Sequence, residues 1–233
     1  MRRAAGADPA ARAAARWGVR PGPCPQHHPP VPPYRGQRAH HAPEGAVLGH
    51  RHGRADPLPE GSPDEVDYEG ELAVVIGRRA TDVSAVEAEA YAFVAGFTIV
   101  NDVNDVNDVS ARDVQKGRIP GRSANVTAAK SLDTFTPMGP ALNTLDEVTD
   151  PDDLRLRIRG DDELRQDART SQLIHPVPAL VTCLSRQTTL EPGDVISTGT
   201  PAGVGHRQGL FLRSGTEVRI GIEGIGALVN TCA

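Results

Sequence analysis

Asp67-Tyr68-Glu69-Gly70-Glu71-Leu72-Ala73-Val74-Val75-Ile76 is the most informative run in the chain. Its apolar end is short and rich in Val and Ile, which marks a strand rather than a helix. In a strand, side chains two apart share a face. Glu69 and Glu71 therefore stand side by side, and Tyr68, Leu72, Val74 and Ile76 take the opposite, apolar face. Two carboxylates this close repel unless a proton or cation lies between them. A hard divalent ion bound by oxygen satisfies that need. So does a solvated strand face carrying two ordinary acids, and Glu-x-Glu alone does not choose between the two.

Further along, Ser84 and Glu87 form a capping box that opens a short helix reaching about Val94, with Gly96 ending it. Phe97 to Val100 has the look of a buried strand. It runs into Asn101-Asp102, and Ser110-Ala111-Arg112-Asp113-Val114-Gln115 follows. A third carboxylate thus sits at a strand end, with an arginine and a glutamine close behind, in the kind of loop where sites are built. Leu154 to Ile158 alternates, and Pro176 to Arg186 is helical with Pro176 near its first turn. Glu191-Pro192-Gly193-Asp194 is a turn, and Val195 to Thr198, Glu217 to Ile222 and Ala227 to Asn230 are strands. Many short strands with few helices indicate a β-rich α+β fold, a roll or barrel.

Composition narrows the function classes. A net charge of −5 makes nucleic acid and anionic membrane poor partners, because both need a basic surface. Aromatics are only 3% of the chain, so the core must rest on Val, Ile, Leu and Ala. Cys24, Cys183 and Cys232 are far apart and form no Cys-x-x-Cys pair, which fits a reducing cytoplasm. The longest apolar run, about Ala92 to Val100, is too short to span a bilayer. Asp8, Arg12 and Arg16 interrupt any signal core. The expectation is a cytoplasmic protein with no membrane partner.

Residues 1–56 form a separate segment. It holds six of the eight histidines, nine arginines and no lysine, with prolines crowded between Pro21 and Pro33. Such a stretch cannot bury enough apolar area to offset its ordering entropy. Residues 57–233 carry the folded domain. The histidines invite a metal-binding role, but a tail of biased composition accounts for them more simply.

Six segments in order resemble the fumarylacetoacetate hydrolase family. They are Asp67 to Gly77, Asn107 to Asp113, Lys130 to Asp133, Pro137 to Pro140, Gly193 to Gly205 and Gly224 to Asn230. Each is weak alone; their order is the signal. The resemblance spans roughly Leu58 to Asn230 and implies a mixed β-sandwich roll with a few short helices, usually a homodimer. It also implies Mg²⁺ or Mn²⁺ held by three carboxylates, with Glu69 and Glu71 as the strand ligands. The third ligand is the aspartate before Ser110-Ala111-Arg112-Asp113. Arg112, Gln115 and Lys130 fall where the family contacts substrate oxygens, and Thr200 falls at the threonine of its glycine-rich loop. Arg112 and Lys130 are the implied catalytic cations. The implied substrate is a small 2-oxo acid or dicarboxylate. Acylpyruvate hydrolysis, oxaloacetate decarboxylation and 2-hydroxydienoate isomerisation all pass through an enolate and are the candidate reactions.

Two features depart from the family. The triplet Asn-Asp-Val occurs three times from Asn101 to Val109. Spacing to Arg112 favours Asp108 as the third ligand; continuity with the strand ending at Val100 favours Asp102. The oxygen-rich repeat also admits Ca²⁺, although it lacks the central glycine and final glutamate of a calcium loop. In addition, the family's water-activating Asn-Tyr-x-x-His-x-x-Glu element has no counterpart: His41-Ala42-Pro43-Glu44 has the spacing but not the surroundings. One GC-rich codon choice for His41 to Leu48, shifted by one base, spells Thr-Arg-Pro-Lys-Ala-Pro-Ser, so residues before Asp56 are expected to be translated out of frame. The nucleotide sequence tests this. Alternatives to an active enzyme are a remnant that binds metal or dicarboxylate without turnover, and a β-rich interaction module with no site.

Overall fold

The protein is described here from a computed structural model, which covers residues 53, 55, 56, 58, 64–84, 87–102, 136–148 and 150–233. Asp108, Arg112, Gln115 and Lys130 lie outside the described residues, as do residues 1–52. The described strands are β1 (Ala55–Asp56), β2 (Gly70–Ile76), β3 (Val94–Asn101), β4 (Met138–Asn143), β5 (Arg155–Gly160), β6 (Glu163–Arg169), β7 (Val195–Ser197), β8 (Glu217–Ile222) and β9 (Gly226–Cys232). The helices are α1 (Glu87–Tyr91), α2 (Val177–Gln187) and α3 (Gly205–Gln208). No helix among the described residues is long and apolar enough to cross a membrane.

The strands form two sheets, ordered β1-β9-β8-β5-β6 and β4-β3-β2-β7. All pairings are antiparallel except β1 on β9. Period-two burial explains how they stack. Leu72, Val74 and Ile76 of β2 join Phe97 and Ile99 of β3 on one apolar face. Leu156, Ile158, Val218, Ile220, Ile222 and Leu228 supply the facing layer of the same core. At Gly70 the sheets come close together: a Cβ there would lie 2.4 Å from Ile158 Cδ1. The result is the β-rich sandwich with few short helices that the sequence leads one to expect.

Local signals hold with several differences. The Asp67 to Ile76 run is regular strand only from Gly70; just ahead of it, Leu212 N–H donates to the Val66 carbonyl at 2.7 Å and ties the chain to a loop. The helix expected to reach Val94 stops at Tyr91, because Val94 is already paired with Ile76. Gly96 is not a helix end. It lies inside β3, where a Cβ would meet the Asn143 carbonyl oxygen at 2.3 Å, so glycine lets β4 draw in. Two strands escape the alternation pattern, β4 and the edge strand β6. β6 follows a two-residue turn in which Asp161 and Asp162 both have positive φ, 50° and 65°. Such a turn usually carries Asn-Gly or Asp-Gly, so Asp-Asp hides it. β1 lies just before the domain start expected at residue 57, pairing along β9.

Candidate functional site

Asp67 to Glu71 runs along the head of β2, and every residue in it is buried. The ladder continues past the strand: Asp102 N–H donates to the Glu69 carbonyl at 2.8 Å, and Gly70 is paired with Asn101. Alternation from the Glu71–Val100 pair therefore puts Glu69, Glu71 and Asp102 on one face at the end of the sheet. Tyr68, Leu72, Val74 and Ile76 belong to the core on the other face, as expected. Glu69 is 8% exposed and Glu71 4%, so a solvated strand face does not describe this pair.

The motif's second task is to hold the segment after β7. Gly199 N–H donates to Glu71 Oε2 at 2.6 Å, which orients that carboxylate. Thr200 Oγ1 donates to the Gly70 carbonyl at 3.1 Å. Gln166, from β6 and 2% exposed, donates from Nε2 to Thr200 Oγ1 at 3.1 Å and also to the Pro201 carbonyl. A hydroxyl carries a single proton. With that proton directed at Gly70, the Thr200 side chain is an acceptor toward Gln166 and a fixed structural bridge. Its backbone N–H has no hydrogen bond to the described residues.

Asp67 closes the same segment at its far end. Its Oδ1 accepts from Tyr68 N–H at 2.8 Å and Gly205 N–H at 2.7 Å, and its Oδ2 accepts from His206 N–H at 2.7 Å. A carboxylate here meets the unpaired N–H groups that open α3. Gly205 is required, since a Cβ would sit 2.1 Å from the Leu210 carbonyl oxygen. Gly203 has φ +116°, and a Cβ there would meet the Arg165 carbonyl oxygen at 2.3 Å. Tyr68 donates its hydroxyl to the Gly203 carbonyl at 3.1 Å. Burial, helped by the charge of Asp67 and opposed by Arg165, pushes the Tyr68 pKa up to about 12. The hydroxyl therefore stays protonated, and a donor, near neutral pH.

The sequence-expected residues thus divide. Glu69, Glu71 and Thr200 come together around the head of β2, with Asp102 beside Glu69 on the strand. Among the described residues, no group of three His, Cys, Asp or Glu side chains closes into a metal-binding cluster. The buried carboxylate oxygens of Glu69 and Glu71 would suit a hard divalent cation. Sequence reasoning missed Asp67 and Gln166. Asp67 stands in the decisive motif, but its partner Gly205 is 138 residues away and no local period announces it. Gln166 lies on a strand that charge conceals.

Comparison with known proteins follows the same segments. The sequence matches the family described as Fumarylacetoacetate (FAA) hydrolase C-terminal over residues 7–233. Oxaloacetate tautomerase FAHD2B, mitochondrial, of Bos taurus is 45% identical over 168 residues, which are 71% of this chain and 50% of that protein. Oxaloacetate tautomerase YisK of Bacillus subtilis is also 45% identical over 168 residues, 71% of this chain and 52% of that protein. The crystal structure of 2-hydroxyhepta-2,4-diene-1,7-dioate isomerase from Mycobacterium marinum superposes with a TM-score of 0.65 at 45% identity, covering 78% of this chain and 64% of the other. The chain spans about half the length of the curated relatives it matches. With a match over nearly the whole sequence and one fold shared with solved relatives, the chain belongs to the fumarylacetoacetate hydrolase family.

Proposed function

We propose that the chain is a divalent-cation-dependent enzyme of small 2-oxo acids, and that keto–enol tautomerisation of oxaloacetate is its reaction. The observation that carries this is the buried Glu69–Glu71 pair with the Gly199–His206 segment hydrogen-bonded across it. Relatives named as oxaloacetate tautomerases and a hydroxydienoate isomerase support the substrate class. Glu69, Glu71 and Asp108 would hold Mg²⁺ or Mn²⁺, with Asp102 the alternative third ligand and Ca²⁺ the alternative ion. Bound there, such an ion supplies Lewis-acid polarisation of the carboxylate and keto oxygens.

The chain's own groups do the rest. Arg112 and Lys130 neutralise the substrate carboxylates, arginine in a bidentate manner. They also favour the electron-rich enolate over the neutral ketone. Gln115 fixes the substrate's orientation by hydrogen bonding. Thr200, with its hydroxyl committed to Gly70 and Gln166, offers its backbone N–H to a substrate oxygen. Tautomerisation needs a proton moved between carbon and oxygen and no activated water. Hydrolysis asks for a further group to activate water, so isomerisation is the less demanding reaction for these residues. A homodimer is part of the same proposal and is checked by sedimentation equilibrium.

The test is the decay of oxaloacetate enol absorbance with and without Mn²⁺. Manganese-dependent acceleration that disappears in Arg112→Ala and Lys130→Ala is expected. Manganese binding with no acceleration would instead identify a binding remnant, and acylpyruvate cleavage would move the reaction to hydrolysis.

A further inference from the structure

The outward face of the five-stranded sheet is unusually rich in arginine. On β5, Arg155-Leu156-Arg157-Ile158-Arg159 buries Leu156 and Ile158 and leaves the arginines on the other side. On β8, Val218, Ile220 and Ile222 are buried, which sets Arg219 and Gly221 outward. The register places Arg159 directly opposite Arg219, and Arg157 directly opposite Gly221. Arg155 is opposite Arg169 of β6. Like charges facing each other across an antiparallel pair are destabilising.

Acids relieve one of these pairs. Arg155 grips Asp167 through Nε–Oδ1 at 2.9 Å and Nη2–Oδ2 at 2.7 Å. Arg169 reaches Asp153 at 2.6 Å and Glu223 at 3.3 Å. The other three guanidinium groups are less well served. Arg159 donates to the Asp162 backbone carbonyl at 2.6 Å, and Arg219 approaches Glu217 only at 3.6 Å. Arg157 makes no ion pair among the described residues. All five arginines line a groove of about 530 Å³, with Glu223 at its rim and Gly221, Gly226 and Ala227 between them; Asp167, opposite Arg157 on β6, is taken by Arg155. The floor is open: a Cβ on Gly221 would meet nothing nearer than the Gly226 carbonyl oxygen at 3.9 Å. That size suits a small molecule, and guanidinium forks match carboxylate and phosphate oxygens.

We propose that this groove is a second anion site, in which Arg157, Arg159 and Arg219 hold a small dianion, a phosphate monoester or a dicarboxylate, over Gly221. The anion would separate the opposed Arg159 and Arg219 charges. The site uses neither Glu69 nor Glu71 and stands apart from the 2-oxo acid proposal. Calorimetric titration of the full chain with inorganic phosphate, and separately with malonate, tests it at ionic strength fixed by sodium chloride. Gly221→Val keeps every charge, suits a strand and fills the floor; Arg157→Gln and Arg219→Gln remove charge. Saturable binding of one anion per chain, weakened at least about tenfold in each variant, is expected. Tighter phosphate identifies a phosphate-bearing ligand, and tighter malonate a dicarboxylate. Absence of saturation by either anion overturns the proposal. So does binding unchanged in Gly221→Val, or malonate binding lost in Glu71→Gln alone.

Discussion

Gly70 sits where the two sheets close on each other, and a methyl group there overlaps Ile158 Cδ1 at 2.4 Å and Ile220 Cγ2 at 2.8 Å. Gly70→Ala should therefore lose roughly 1–3 kcal/mol through overpacking. Thermal unfolding checks this, and an unchanged midpoint would mean that the sheets are not so close. Its neighbour Tyr68 makes a pH-dependent contribution of defined sign. The folded pKa, about 12, lies above the ordinary tyrosine value of 10.0, so the folded state holds the phenol proton more tightly. Stability from this group is complete below the unfolded pKa and falls as pH rises through the folded one. Wild type should lose stability between those two values, and Tyr68→Phe should lose less; parallel curves would contradict it. At this scale the sequence was informative wherever side-chain period sufficed. The shared face of Glu69 and Glu71 follows from alternation. The reach of Asp67 to Gly205 does not, because the chain must first fold back before the two meet.

The Gly199–His206 segment behaves as one element because β2 and β6 hold it at several points. Asp67→Asn keeps the size but leaves one amide oxygen to serve three backbone donors and turns an NH₂ group toward another N–H. The expected loss is roughly 1.5–3 kcal/mol in denaturant unfolding, the range for hydrogen bonds to a charged group. Hydrogen exchange at Gly205 and His206 should rise with it, and unchanged protection would show that Asp67 is not the tether. Gln166→Met removes the donor to Thr200 and Pro201 while keeping the volume. If the proposed function holds, it should raise the KM for oxaloacetate more than it lowers kcat, since it would shift the loop proposed to bind substrate rather than the reacting centre. The strands that frame this loop were unequally legible. β8 runs from Glu217 to Ile222 as alternation predicts, because one face is apolar and the other charged. β6 is mostly polar, lies at the sheet edge and follows an Asp-Asp turn that lacks the usual glycine. β4 contains Gly139 and Pro140, residues that argue against a strand.

For the molecule as a whole, two packed sheets bring together segments that are far apart in sequence, so order of motifs carried more information than any one of them. Gly193 to Gly205 looks like a plain loop in isolation. On β2 it becomes the clamp over Glu71. Half of the expected site could be followed in this way. The other half, Asp108, Arg112, Gln115 and Lys130, lies outside the described residues. The central claim is that Glu69 and Glu71 are ligands to one hard cation. Titration of the full chain with Mn²⁺, followed by electron paramagnetic resonance and repeated with Glu69→Gln and Glu71→Gln, tests it most directly. One bound ion in the wild type, with affinity reduced by more than about tenfold in each variant, is expected. A wild type that binds no Mn²⁺, or variants that bind it equally well, would contradict the claim.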